Sequence, residues 1–591
     1  MGTMTPAILT FAASGRDTAV RIATTTGGAL HDCGAGGEDA KILLPQLFRA
    51  GTPIIGVCAA GILIRLLAPS LDDKHTDPPV LAVSQDGSHV VPLLGGHHGA
   101  NRLARVIAAA LGGTAALTTA SDSRFAFGLD EPPTGWVIES PEAARPAMAA
   151  VLGGAAIALD GDAPWLAEAG YPLSPQGTIR VVARAGGPAG GPTYRPQILI
   201  AGVGCERGTA ADEVIGLVAG TLAEAGLSPL SLAAIATVDL KADEPALHAA
   251  AAHFGVPLRL LSVAELDAER HRLPTPSAVV EAEIGTPGVA EAAALKAGAL
   301  VVPKRKSKRA TCAIGSAAAP IDANSIGRAP GVLHIVGIGP GDAPSRTASA
   351  ARALSVSTDW VGYGLYLDLI ADLSHGQAEH RFPLGEEEVR VRHALELAAT
   401  GRTVALVSSG DAQIYAMAAL AFELLDATGP RALSDAAHRV GVESHPGISA
   451  FQAASAAAGA LIGHDFCCIS LSDLLTPREV IRQRLEAAAE GDFVTAFYNP
   501  RSGRRLDLLG EARDIFARHR SPETPVIVAR NLGRSEEQVS VTPLAEFDPE
   551  TVDMLTIVLI GSSTSRTFVR GDGRTVAFTP RGYAKKAEAA E

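Results

Sequence analysis

Two short stretches in the last 260 residues constrain the fold most. The apolar run Val332 to Val336 ends in Gly337-Ile338-Gly339-Pro340-Gly341-Asp342, and Thr403 to Val407 ends in Ser408-Ser409-Gly410-Asp411-Ala412-Gln413-Ile414-Tyr415. Each run has the β-branched pattern of a buried strand, and each loop leads into an Ala-rich helical pattern. Glycine at a strand end lets a ligand approach the backbone, and the start of the next helix offers N–H groups without partners. The pairing predicts a cleft for a nucleotide-like cofactor, with two tight turns as the alternative.

The same alternation runs along the whole chain. Pro53 to Val57, Val80 to Val83, Gln197 to Val203 and Ala233 to Val238 read as strands, while Asn101 to Leu111 and the stretches after Ala211 and Glu244 read as helices. The class is therefore α/β and, at 591 residues, multidomain. Hydrophobic residues make up 47% and aromatics only 4%, which suits tightly packed α/β units and argues against a surface of stacking aromatics for nucleic acid. The net charge of −13 likewise excludes nucleic acid as a partner. One local exception is Lys304-Arg305-Lys306-Ser307-Lys308-Arg309, either a solvated loop or an anion site.

The six cysteines, Cys33, Cys58, Cys205, Cys312, Cys467 and Cys468, contain no CxxC pair, so neither a zinc site of that kind nor a disulfide framework is expected. Cys467 and Cys468 are neighbours in an apparent strand and point to opposite faces. No long apolar stretch free of Gly, Pro and charge predicts a membrane span, and no basic leader precedes the first residues, so the expected location is the cytoplasm.

Gly and Pro dominate residues 184–197, and small polar residues dominate 315–331. Read as linkers, with a further break near 122, they divide the chain into 1–122, 123–195, 196–318, a connector 319–331 and a last region 332–585.

The last region carries His445-Pro446-Gly447-Ile448-Ser449-Ala450, the string from Gly463-His464-Asp465-Phe466-Cys467-Cys468 to Thr476-Pro477, Tyr498-Asn499-Pro500-Arg501-Ser502, Asp553-Met554-Leu555-Thr556 and Thr579-Pro580-Arg581-Gly582-Tyr583. In this order the segments resemble the tetrapyrrole methylases, and more narrowly the precorrin-3B C(17)-methyltransferases of cobalamin biosynthesis. The resemblance implies two α/β subdomains with S-adenosyl-L-methionine in the cleft between them, and a homodimer. The family's cofactor positions fall on Pro340, Ser409, Gly410, Asp411, Ile414, Ser449, Ala450, Asn499 and Gly533. The family also contracts the ring, which needs proton transfers. His464 and Asp465, polar groups in an apolar segment, and Asp342 at the cleft mouth are the candidate acids and bases. The alternatives are a structural hydrogen bond for His464 and helix capping for Asp342 and Asp411. Arg346, Arg501, Arg504 and Arg505 are candidate partners for the carboxylate arms of a tetrapyrrole substrate, with solubility as the alternative.

The first half holds a second cluster. It includes Gly56-Val57-Cys58-Ala59-Ala60-Gly61, Leu93-Leu94-Gly95-Gly96-His97-His98-Gly99-Ala100-Asn101 and Gly202-Val203-Gly204-Cys205-Glu206-Arg207-Gly208-Thr209. Asp239-Leu240-Lys241-Ala242-Asp243-Glu244 and the Ala-rich run at Glu291 follow. These segments resemble the cobalt-precorrin-5A hydrolases, a family that opens the lactone of a ring-contracted corrinoid and releases acetaldehyde. Such hydrolysis needs an activated water and an oxyanion site. His97 or His98, on a Gly-rich turn before a helix, is the candidate base, and Arg65, Lys74 and Asp77 are candidates to orient acid arms. Shaping a turn and capping the helix is the alternative for His97, His98 and Asn101. No third ligand accompanies the two histidines, so no metal is expected there. The first half is either a lactone-opening module or a non-catalytic corrinoid carrier.

Overall fold

The computed structural model describes residues 6–34, 37–71, 77–117, 124–125, 128–374, 376–501 and 506–583, and only the backbone of His97. The chain forms two compact units, Met1–Pro330 and Gly331–Glu591. Every sheet is flanked by helices, as the alternating pattern requires. Among the described residues, no helix is long and apolar enough to cross a membrane.

The first unit contains three sheets. In the first, Ala29–Asp32, Ala7–Thr10, Ile54–Val57 and Val80–Val83 lie side by side and parallel, and His89–Leu94 returns antiparallel beside the last of them. The helix Ala100–Leu111 buries Ala100, Ala104, Ile107 and Ala108, a single stripe at helical spacing. It lies between two left-handed glycines, Gly99 at φ 93° and Gly112 at φ 73°, the second a glycine C-cap. The second sheet orders Trp136–Ile138, Thr193–Pro196, Ile179–Ala183 and Ile157–Gly161. The third orders Leu258–Leu261, Leu232–Val238, Leu199–Cys205, Ala310–Ser316 and Ala299–Lys306. Across the third sheet the short helix Ala290–Ala294 lies directly on the strand backbone. A Cβ at Gly202 or Gly315 would collide with its main chain, which explains why these strand positions lack side chains.

Three expectations need correction here. Residues 184–197 are not a linker, because Thr193–Pro196 is a fully buried strand. The sequence hides this because Arg195 looks like a surface residue. Its buried guanidinium donates to Glu139 (2.8 Å) and to the carbonyls of Arg184, Gly186 and Gly187 (3.0, 2.8 and 2.8 Å). Part of 315–331 is also held down: Arg328 exchanges two backbone hydrogen bonds with Leu260, and Arg259 donates to the carbonyls of Asn324, Ile326 and Gly327. Finally, the basic run is a strand followed by a turn. Ala299–Lys306 pairs with Ala310–Ser316, and the charges are separately engaged, Lys304 with the Thr275 carbonyl and Arg309 with Glu206.

The second unit contains two main sheets. One is wholly parallel, in the order Ala378–Phe382, Asp359–Tyr363, Thr403–Ser408, Val332–Gly337, Gly441–His445. The other is mixed, in the order Phe466–Ser470, Val494–Tyr498, Thr556–Ile560, Pro525–Arg530, Gln538–Pro543. Cys467 packs into the cluster on one face of this sheet and Cys468 into that on the other, as their adjacency predicts.

At the outer side of the parallel sheet, Asp359 is buried and accepts from Arg402 (2.5 Å), Thr358 (2.6 Å) and His380 (3.0 Å). Burial pushes its carboxyl up, but these three donors outweigh burial and hold it below the usual 3.8. A depressed carboxyl contributes stability that is present above the ordinary carboxylate pKa and is lost as pH falls through the folded value. Asp359→Asn should therefore weaken the Asp359–Tyr363/Ala378–Phe382 edge at neutral pH by about 1–3 kcal/mol. Hydrogen exchange of those strands, compared with wild type at each pH, should show a gap that closes below pH 3.8.

Candidate active site

The two glycine loops of the second unit meet each other. Gly339 N donates to the Gly410 carbonyl (3.1 Å) and Gly410 N donates to the Gly339 carbonyl (2.7 Å). Both glycines are left-handed, at φ 76° and 68°. A third loop closes on this pair. Asp411 accepts from Gly447 N (3.1 Å) with one carboxylate oxygen and from Gln413 N (2.8 Å) with the other. A Cβ on Gly447 would overlap the Gly410 carbonyl and approach that of Gly337 to 2.6 Å, so the three main chains pack with no room for a side chain. Asp411 thus ties loops together and does not cap a helix.

The expected helix starts lie further on. Ala348–Val356 begins seven residues after Gly341, and Met417–Asp426 seven after Gly410, so neither presents its first turn at its glycine loop. The helix that begins at the third loop is Ala450–Ala458, where Ser449 and Gln452 form a reciprocal capping box.

Arg534, from the second subdomain, pins the first two loops. Its guanidinium donates to the Pro340 carbonyl (3.0 Å) and to Ser409 Oγ (2.8 Å). Burial pulls its pKa down, and the nearby Tyr366 opposes the shift. Gly533 lets this segment lie against Pro340 and Asp342, for a Cβ there would come within 2.6 Å of Asp342 Oδ1. That oxygen is buried without a hydrogen-bond partner among the described residues, as is Ser408 Oγ, while Asp342 Oδ2 accepts from Ser345 (2.9 Å).

Ile414 and Ala450 pack against the buried cluster of Phe451, Ala454, Val494 and Ala496. Tyr415 (φ 52°) donates to the Cys468 carbonyl (2.8 Å), and its ring lies 5.1 Å from that of Tyr498. Asn499 (φ 48°) donates to Ser470 Oγ (3.1 Å). The expected positions Pro340, Ser409, Gly410, Asp411, Ile414, Ser449, Ala450, Asn499 and Gly533 thus belong to the three loops and to the segments joined to them. Sequence reasoning passed over Arg534; its only signal is its place directly after Gly533.

The other expected residues fare differently. His464 and Asp465 are exposed at the amino end of Phe466–Ser470, 3.2 Å from each other, while the contacts with Tyr415 and Asn499 are made further along the strand and at its carboxyl end. Their neighbour Phe466 places its ring 5.3 Å from that of Phe451, in the helix that begins at the third loop. Arg346 is nearly buried, bidentate on Asp372 (both 3.0 Å), and Arg501 pairs with Glu550 and the Pro549 carbonyl, so both cations are already matched. Arg504, Arg505 and Lys74 lie outside the described residues.

In the first unit His98 is exposed in the turn Gly96–His98, and the side chain of His97 lies outside the description. Arg65 is exposed on the helix Ala60–Leu67, and Asp77 is buried. A cleft of about 400 Å³, lined by Cys58, Ala59, Ser84, Gln85 and His89 among others, lies at the carboxyl ends of Ile54–Val57 and Val80–Val83. That is where open α/β sheets hold ligands. Burial, with Cys33 adding to it, pushes the Cys58 thiol up to about 12, so it is no nucleophile at neutral pH. In the third sheet Gly208 N donates to both oxygens of buried Glu244 (3.1 and 3.3 Å), and Arg207 pairs with Asp243 (2.6 Å). Glu291 is buried and accepts from Thr275 and from Lys304 N, a structural role.

A parallel sheet and a mixed sheet joined through glycine loops define the class. Residues 332–548 match the family of Tetrapyrrole (Corrin/Porphyrin) Methylases. The chain is 42% identical over 252 residues to a probable cobalt-factor III C(17)-methyltransferase of Salmonella typhimurium, covering 43% of this chain and 99% of that protein. It is 41% identical over 254 residues to the precorrin-3B C(17)-methyltransferase of a Sinorhizobium species, covering 43% and 98%. The chain belongs to this C(17)-methyltransferase family. A cobalt-factor III methyltransferase of Priestia megaterium is 41% identical over 256 residues, and there the alignment takes in 43% of this chain and 46% of the relative, less than half its length. In the first unit, residues 43–122 match Cobalamin synthesis G N-terminal and 199–315 match Cobalamin synthesis G C-terminus.

The loop packing makes a graded prediction. Gly410→Ala forces a left-handed alanine but meets atoms only at 3.8 Å, so it should cost about 1–2 kcal/mol. Gly447→Ala must displace main chain and should cost about 3 kcal/mol or more. Thermal unfolding should rank the two in that order.

Proposed function

We propose that the second unit transfers a methyl group from S-adenosyl-L-methionine to C-17 of precorrin-3B, or of its cobalt-bearing counterpart, with contraction of the macrocycle. The observation that carries the reading is the pair of glycine loops bonded to each other and held by Arg534, in a region that matches C(17)-methyltransferases over almost their whole length. The residues suit the cofactor. At Gly410, where a Cβ would meet nothing closer than 3.8 Å, the paired loops leave open space for a ligand to approach the main chain, and the unpartnered oxygens of Asp342 and Ser408 offer acceptors.

When bound, S-adenosylmethionine supplies an electrophilic methyl group on a good leaving group. The chain's own task is then to position rather than to attack. Arg534 holds the Pro340 and Ser409 loops, Asp411 holds Gly447, and Ser449 fixes the start of the helix Ala450–Ala458. Asp342 is the acid–base candidate that adjoins these loops, and the exposed pair His464 and Asp465 are the other candidates. We further propose that the unit acts as a homodimer, on the ground of the family resemblance.

The first unit is proposed to open the lactone of the ring-contracted corrinoid, as a cobalt-precorrin-5A hydrolase does. Joining both activities in one chain raises the effective concentration of an unstable intermediate.

A single-turnover reaction of the full chain with S-adenosylmethionine and precorrin-3B, with and without cobalt, should give a product carrying one added methyl, placed at C-17 by NMR. No transfer to either form overturns the reading. Acetaldehyde release from a cobalt-precorrin-5A substrate supports the hydrolase, and tight binding without release leaves a carrier. Arg534→Ala removes two charge-assisted hydrogen bonds and should weaken S-adenosylhomocysteine binding by roughly 10–100-fold in a calorimetric titration. Arg534→Lys should recover only part, because an ammonium cannot span both acceptors in one plane.

A further inference from the structure

A group of side chains used by neither site lies on the parallel sheet of the second unit. His334 sits on Val332–Gly337, and Glu443 and His445 sit on the neighbouring edge strand Gly441–His445. The parallel register sets His334 opposite Glu443 and Val336 opposite His445, so all three side chains lie on one face. The helix Ala348–Val356 covers that face, packing Ala350, Ala353 and Leu354 around Val336.

His334 Nδ1 is 3.0 Å from His445 Nε2, and one Glu443 oxygen is 3.5 Å from the first and 3.9 Å from the second. The carboxylate is therefore too distant for a good hydrogen bond to either ring, yet faces both. Three ligand atoms around a tetrahedral ion with bonds of about 2.1 Å stand roughly 3.4 Å apart, close to this triangle. The two imidazoles are 9% and 14% exposed, whereas Glu443 is 63% exposed and leaves one side open. Ser349, on the covering helix, lies 2.8 Å from His445 Nδ1. An Nδ1–H donated to that hydroxyl turns the Nε2 lone pair toward the other two groups, the outer-shell arrangement that fixes a metal-binding histidine.

We propose that His334, Glu443 and His445 bind one divalent first-row transition ion of the zinc, cobalt(II) or nickel(II) class, with water completing the coordination. Two imidazoles and one carboxylate select that class over magnesium or calcium, which prefer all-oxygen sets. The ion ties the edge strand to its neighbour immediately before Pro446-Gly447, so it braces the third loop of the active site from outside. This inference does not depend on the methyl-transfer reading, because its readout is metal binding.

The test uses the untagged full chain, stripped with a chelator and titrated with cobalt(II). Visible absorption and equilibrium dialysis should report one tightly bound ion per chain with nitrogen and oxygen ligation. His445→Ala and His334→Ala should each weaken binding at least 100-fold, and Ser349→Ala by 10–100-fold. Glu443→Gln is exposed enough to leave the packing intact and should weaken binding at least 10-fold, so it decides the matter if a histidine variant fails to fold. At one zinc concentration the rise in unfolding temperature should be smaller for Glu443→Gln than for the wild type. No binding by the wild-type chain, or a stoichiometric site that survives Glu443→Gln unchanged, overturns the proposal.

Discussion

The second unit is organised around two hydrogen bonds between Gly339 and Gly410. They join the loops that leave two adjacent central strands, and they form only because both residues adopt left-handed backbone. Once the loops are paired, a third must fit over them without a side chain at Gly447, and Asp411 supplies the carboxylate that fastens it. Such a scaffold is built from main chain and fixed in place by a few side chains. That suits displacement at a sulfonium methyl, for which a strong protein nucleophile has no use and orientation supplies most of the advantage. Arg534 fits the same logic. Buried and bonded to one loop carbonyl and one loop hydroxyl, it locks the position of two loops from a distant part of the sequence.

Features carried by local pattern were legible in the sequence. The strand ends at Val83 and Val238, the helix of Ala100–Leu111 and the opposed faces of Cys467 and Cys468 all follow from periodicity and flanking glycines. The two glycine loops announced themselves in the same way. What was illegible was the pairing of charges. Arg346 and Arg501 have the right chemistry for a carboxylate substrate, but Asp372 and Glu550 already answer them, 26 and 49 residues away in the chain. Arg195 and Arg259 were hidden for the same reason, each satisfied by carbonyls of a segment that composition marks as a linker. A guanidinium is as much a device for collecting stray carbonyls as a binder of anions, and only the fold tells the two apart.

The histidines extend the point. His97 and His98 drew attention because they lie on a Gly-rich turn before a helix, and His98 is exposed in that turn. His334 and His445 are 111 residues apart and meet through strand register. A pattern read along one strand cannot reveal a cluster whose members face each other across two.

The two proposed reactions also differ in what they demand. Methyl transfer can be served by a rigid cradle, and the glycine contacts provide one. Lactone opening needs a group to handle a proton and another to meet an oxyanion. In the third sheet of the first unit the buried carboxylates of Glu244 and Glu291 are both committed to backbone donors. The cleft beside Cys58 holds Ser84, Gln85 and His89 at the carboxyl edge of its sheet. Burial pushes the Cys58 thiol up to about 12, and His89 is the imidazole among these lining residues. For the proposed hydrolysis, His89 joins the glycine-turn histidines as a candidate base, because it lines the cleft at the sheet edge where a ligand has room.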